Sequence, residues 1–263
     1  METRENALPA SNCEIILAKN ISIELGEPIV LEDSLRAAME KEWARALERN
    51  PEVFDGEILL LKGWKRDAEG TLRLSVAWGT YKMFVASRAL PLMREIVRPL
   101  GVSGMMLCHG EEQNGTISPA SAVVFARRSG TVATYPNCWE LMPSGSISRD
   151  SASVNHNTID YICQILEEFE QETGFNAQII QQITPTALIF DKQANIYDIC
   201  VRLNLSVSQT VVMEQFQGND EYTEMRCVSL LDIPHFLQHH ASDIVPPSKV
   251  LAEMLCTMVS EAA

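Results

Sequence analysis

The sequence predicts an α/β (or α+β) fold, and three observations carry that reading. Apolar runs with strand character recur along the chain, amphipathic stretches at helical spacing separate several of them, and no internal repeat or low-complexity tract interrupts the pattern. The chain has 263 residues, 46% hydrophobic and 21% charged, the composition of a globular protein with a sizeable core.

ILAKNISIEL (16–25) reads as a strand. LEDSLRAAMEKEWARALERN then sets Leu35, Met39, Trp43, Ala46 and Leu47 on one helical stripe. GEILLLKGWKR and TLRLSVAWG read as two strands of a hairpin closed by Asp67-Ala68-Glu69-Gly70. YKMFVASRALPLMREIVRPLG holds another helix, ending near Pro99 and Gly101. GVSGMMLCHG and SAVVFARRSG are strand-like, and TVATYPNCWELMPSGSIS and SRDSASVNHNT are loop-rich. A helix starts near Thr158, with Asn157 or Thr158 as its cap. AQIIQQITPTALIFD, NIYDICVRLNLSV and EMRCVSLLDI are β-type, and SKVLAEMLCTMVSEA forms a last helix after Pro246-Pro247. Residues 1–100 are expected to form an N-terminal α+β extension or small domain, and 101–263 the main domain.

The net charge of −14 argues against non-specific binding to nucleic acid. The seven cysteines are odd in number and contain no CxxC pair, so they read as small buried hydrophobes in a reducing compartment. With neither a signal-like N-terminus nor a membrane-length apolar run, the expected location is cytoplasmic, with no membrane partner. G-x-S-x-G, P-loop and dinucleotide-binding patterns are absent, and His109, His156, His235, His239 and His240 show no metal-ligand spacing.

QILEEFEQETGF (164–175) is the unusual stretch: four glutamates at the end of one helix, with no lysine or arginine among them. Like charges at helical spacing repel, and carboxylates near a C-terminus oppose the macrodipole. Ile162, Ile165, Leu166 and Phe169 form the apolar stripe. Glu168 and Glu172 lie together along one flank with Gln171 beside them, Glu170 on the opposite flank, and Glu167 further out. Gly174 is placed to end the helix, with Phe175 folding back. Two carboxylates four apart at the border of a core can bind a hard divalent cation. A plain solvated helix is the competing reading.

YPNCWELMPSGSIS followed by a helix ending LEEFEQETGF resembles the Nudix hydrolases, whose box reads G-x5-E-x7-R-E-U-x-E-E-x-G-U after a W-x-x-P-G-G turn. Trp139 and Pro143-Ser144-Gly145 match the turn, and residues 167–175 match the last nine box positions. The box arginine is Glu167 here, the first glutamate of its pair is Gln171, the turn's first glycine is Ser144, and eight residues are inserted between Gly145 and the helix. The mid-box glutamate has no clear match, although Asp160 is close in place. RNPEVFDGEILLLKG with YKMFVASR loosely resembles the N-terminal region of larger Nudix proteins, including those acting on UDP-sugars.

The resemblance implies a Nudix-type mixed-sheet α/β/α sandwich with an N-terminal α+β extension, and hydrolysis of a diphosphate linkage in a phosphorylated small molecule. A nucleotide sugar is the first candidate and a prenyl or other organic diphosphate the second. It further implies Mg²⁺ or Mn²⁺ held by Glu168, Glu172 and the Gly145 carbonyl, with Glu221 as a catalytic loop acid for which Asp220 and Glu224 compete. Arg127 or Arg128 would clamp the substrate, and strand alternation lets only one of them face the cleft. A homodimer is implied as well. The substitutions at 167 and 171 leave open a catalytically impaired module that binds a nucleotide or a partner protein.

Overall fold

The computed structural model describes residues 12–108, 121–149, 153–155 and 158–262. Among them it is a mixed α/β protein with two mixed sheets and seven helices. The run expected as one strand over 16–25 is two. β1 (Cys13–Leu17) and β2 (Ile21–Leu25) join different sheets, and residues 18–20 carry the chain between them.

α1 (Asp33–Arg49) follows, then β3 (Glu57–Arg66) and β4 (Leu72–Thr80), antiparallel around the expected turn. Gly70 at that turn has φ +85°, a backbone that favours glycine. The helix expected next is two short ones, α2 (Tyr81–Ser87) and α3 (Pro91–Ile96). Pro91 lacks the N–H an uninterrupted helix would need, and instead starts the second.

β5 (Leu100–Cys108) is buried along its whole length and therefore reads as a largely apolar run, broken only by Ser103. β6 (Ala122–Arg128), β7 (Trp139–Leu141), β8 (Ser144–Ser146), β9 (Ser153–Asn155) and β10 (Thr158–Asp160) come next. The acidic helix is α4 (Tyr161–Thr173). Because 158–160 are extended, its cap is neither Asn157, which lies outside the described residues, nor Thr158. Asp160 does the capping, its Oδ1 accepting the Ile162 N–H at 2.9 Å. Gly174 ends the helix at φ +71°, and Phe175 stacks on Phe169, as the sequence predicts.

β11 (Ile180–Asp191), β12 (Ile196–Leu205), α5 (Gln209–Gln215), β13 (Tyr222–Ser229), α6 (Ile233–His239) and α7 (Pro246–Ala262) complete the chain. The large sheet runs β1-β11-β12-β5-β6-β13, with β7 added to β6 and β8 to β5; the small sheet runs β3-β4-β2-β10-β9. The two exchange strands across position 100, since β1 lies in the large sheet and β10 in the small one.

One core cluster fills the space between the sheets and includes Leu74, Val102, Ile165, Phe169 and Ile199. A second lies under α6 and α7, with Phe125, Trp139, Ile189 and Leu251. β5 pairs with β8 at 101–103 but with β6 only at 107–108. The sheet therefore forks, and α4 packs against the β8 arm.

Candidate functional site

Into this fork α4 extends one flank. Gln164, Glu168 and Glu172 succeed each other every four residues, so one helical edge carries all three. Gln164 Nε2 donates to Glu168 Oε1 at 2.7 Å, while its Oε1 accepts the Ser148 N–H at 2.9 Å. Glu168 also lies hard against Gly145: a Cβ added at Gly145 would sit 1.8 Å from Glu168 Oε1. Only glycine leaves room for that carboxylate. The Gly145 carbonyl, which the resemblance offers to a metal, is turned toward Gly101, whose added Cβ would lie 2.8 Å from it.

Glu172 is buried. Its Oε1 accepts the Ser144 N–H at 3.1 Å and lies 3.5 Å from the Tyr222 hydroxyl, whereas Oε2 is buried with no partner. A buried, unmatched carboxylate oxygen is costly. Burial accordingly raises Glu172 well above the ordinary carboxylate range, and the nearby Glu221, Glu140 and Glu168 add to the shift. Burial likewise pushes Glu168 up to about 7.

Across the fork, β6, β7 and β13 contribute Arg128, Glu140 and Tyr222. Register sets them side by side: Tyr222 pairs with Arg128, and Glu140 with Ala126. Arg128 is ion-paired to Glu140, also donates from Nε to the Thr134 carbonyl at 3.1 Å, and lies 3.6 Å from Glu221. Burial alone would lower the guanidinium, but Glu140, Tyr222 and Glu221 together hold it above its usual value. The Tyr222 hydroxyl donates to Glu140 at 3.1 Å and is 3.2 Å from the Ser144 hydroxyl. With one proton to give, its shorter contact is to Glu140, which leaves Glu172 held mainly by the Ser144 amide.

Of the residues named from sequence, the structure thus brings together Gly145, Glu168, Glu172, Arg128 and Glu221, the last raised by burial. Arg127 points elsewhere, over the Trp139 ring and 4.0 Å from Asp243. Glu224 pairs with Arg226 on the surface, and Asp220 is exposed. Asp160 is spent on capping. Glu167 and Gln171 bond each other at 2.9 Å on the outer flank of α4. Gln164, Glu140 and Tyr222 were not anticipated. Gln164 was legible as the residue four before Glu168, whereas the other two depend on strand register.

The fork holds four carboxylates, Glu140, Glu168, Glu172 and Glu221, and Arg128 is the cation paired with Glu140 and Glu221. Among the described residues no three His, Cys, Asp or Glu side chains stand close enough to form a ready-made ligand set. Grooves of about 360 and 560 Å³ run along β13 against α6 and α5, away from these carboxylates.

No family model matches the chain, and no curated protein does. Solved structures of similar fold include DR0079 from Deinococcus radiodurans (13% identity over 60% of this chain and 82% of that one, TM-score 0.40). A Nudix hydrolase from Alicyclobacillus acidocaldarius matches at 10% identity over 60% and 90% of the two chains (TM-score 0.40). Tm1382, provisionally classed as a Nudix hydrolase, matches at 10% identity over 77% and 99% (TM-score 0.45). No helix among the described residues is long and apolar enough to cross a membrane.

Proposed function

We propose that the chain is a Nudix-type hydrolase that cleaves a diphosphate linkage in a nucleoside diphosphate derivative, a nucleotide sugar before a prenyl diphosphate. The supporting observation is the buried, partnerless Oε2 of Glu172 beside Glu168, in a fork whose carboxylates outnumber its arginines. A hard cation such as Mg²⁺ or Mn²⁺ suits this donor set, since it commonly takes one or two carboxylates and fills its remaining positions with water and phosphate oxygens. Glu168 and Glu172 would hold it. When bound, the ion polarises the phosphoryl oxygens and lowers the pKa of water.

The chain's own groups divide the rest of the work. The Ser144 amide fixes Glu172, Gln164 fixes Glu168, and Glu140 with Tyr222 holds Arg128 at the opposite wall. Glu221, half-exposed at the rim, would take a proton from the attacking water. Arg128 can lend a guanidinium N–H to a phosphate oxygen without leaving Glu140.

A second reading is a module that binds a nucleotide or partner without turnover. The absence of a three-group ligand set among the described residues favours it. Product release from nucleoside diphosphate sugars, dinucleotides and prenyl diphosphates, with Mg²⁺ or Mn²⁺, separates the two. The hydrolase reading expects metal-dependent turnover that Glu172→Gln abolishes. Tight binding without turnover on any compound would establish the second reading instead.

A further inference from the structure

We propose that the outer edge of β13 is a self-association seam, on which a second copy of this chain adds its own β13 as an antiparallel strand. β13 ends the large sheet: among the described residues it pairs with β6 on one side and with no strand on the other. Leu230 donates its N–H to the Ser121 carbonyl at 3.0 Å, which fixes the phase of the ladder. Residues 228, 226 and 224 therefore bond β6, while Met225 and Cys227 turn their N–H and C=O outward. Such an edge is a template for another strand.

This edge is reachable. The groove of about 560 Å³ against α5 and the one of about 360 Å³ against α6 share Arg226, Cys227 and Val228, so they flank the same stretch of strand. Met213, exposed on the α5 wall, supplies apolar surface beside it.

The charges select a copy of this chain as the occupant. Proteins commonly guard an edge with charge, and an edge of one sign repels its own copy. β13 instead carries one of each sign on one face, Glu224 and Arg226, which are half-exposed and 2.7 Å apart. Laid antiparallel about a two-fold axis at Met225, two copies set their outward N–H and C=O groups to bond each other there. Each Glu224 then stands opposite Arg226 of the second copy, at a position between ladder bonds, where facing side chains come closest. Other registers lose this match. An axis at Glu224 or Arg226 sets like charges face to face, and one at Cys227 sets Arg226 against Val228. A two-fold interface requires self-complementarity of this kind. Both grooves lie away from the fork, so the seam does not depend on the hydrolase reading.

Sedimentation equilibrium of the full chain in reducing buffer tests the seam. Wild type should reach twice the 29.3 kDa mass of one chain. Glu224→Arg and Arg226→Glu each set like charges opposite one another twice and should weaken association by at least about tenfold. The two variants mixed should associate, because each then offers the sign the other lacks. The double swap, Glu224→Arg with Arg226→Glu, should likewise recover self-association. Repair on mixing is a result that a folding defect cannot produce. A wild type that stays monomeric up to about 100 µM would overturn the seam. So would a dimer indifferent to both single substitutions, whose copies must meet elsewhere, or a loss that neither mixing nor the double swap repairs.

Discussion

The two flanks of α4 carry similar residues and have opposite fates. On the inner flank Glu168 and Glu172 are drawn into the fork, one against Gly145 and the other with a buried oxygen that nothing matches. On the outer flank Glu167 bonds Gln171, and Glu170 accepts the Ala177 N–H at 2.8 Å just past the helix end. The outer carboxylates serve the helix locally. The inner ones cost stability that local structure does not return, which is the cost the proposed metal would offset.

The largest contrast is expected at Glu172. Glu172→Gln should lower metal-dependent hydrolysis by at least about 100-fold. Without metal the same variant should be at least as stable as wild type at high pH, because it does not titrate and so escapes the cost of ionising a buried carboxylate. Lower activity joined to lower stability would make Glu172 an ordinary structural residue, and the inner flank would lose its distinction.

Glu168 sharpens the comparison through pH. Its folded value of about 7 is above the unfolded carboxylate value, so its contribution to stability is full below about pH 4 and is lost as pH rises through 7. Glu168→Gln does not titrate. In chelator, its stability relative to wild type should therefore rise between pH 5 and pH 8, by about 1–2 kcal/mol after allowance for partial exposure. Urea unfolding at the two pH values measures this, and a flat difference would contradict it.

The inner flank is legible in the sequence because a helix has one period. Residues 164, 168 and 172 must share an edge, and the stripe through Ile165 and Phe169 says which edge borders the core. The opposite wall of the fork has no such rule. Arg128, Glu140 and Tyr222 come from three different strands, and they meet only through registers such as Tyr222 with Arg128 and Glu140 with Ala126. A shift of one residue would turn each to the other face. The same limit explains β1 and β2: ILAKNISIEL has strand propensity throughout, and nothing local marks residues 18–20 as the crossing between sheets.

On the outer flank effects should be small and purely structural. Glu170→Ala removes the acceptor for the Ala177 amide and should cost about 0.5–1 kcal/mol, with kcat/KM unchanged. A change in activity there would mean that the helix end moves the inner carboxylates, and the flanks would not be separable.

Glu167→Arg makes the finest cut. In the resemblance, position 167 belongs to an arginine, and its replacement by glutamate is the strongest sign of altered catalysis. In the structure Glu167 bonds Gln171 on the side of α4 away from the fork. An arginine there would meet the Gln171 amide oxygen and Glu170 one turn on, a gain of a few tenths of a kcal/mol at most, about 0.2–0.5 kcal/mol. It would not touch Glu168 or Glu172 without a turn of the whole helix, which the packing of Ile165 and Phe169 in the core opposes. Activity within about threefold of wild type is therefore expected, with a slightly higher melting temperature. A large gain in turnover would mean that position 167 does reach the inner carboxylates during catalysis, and the boundary between the flanks would have to be redrawn around it.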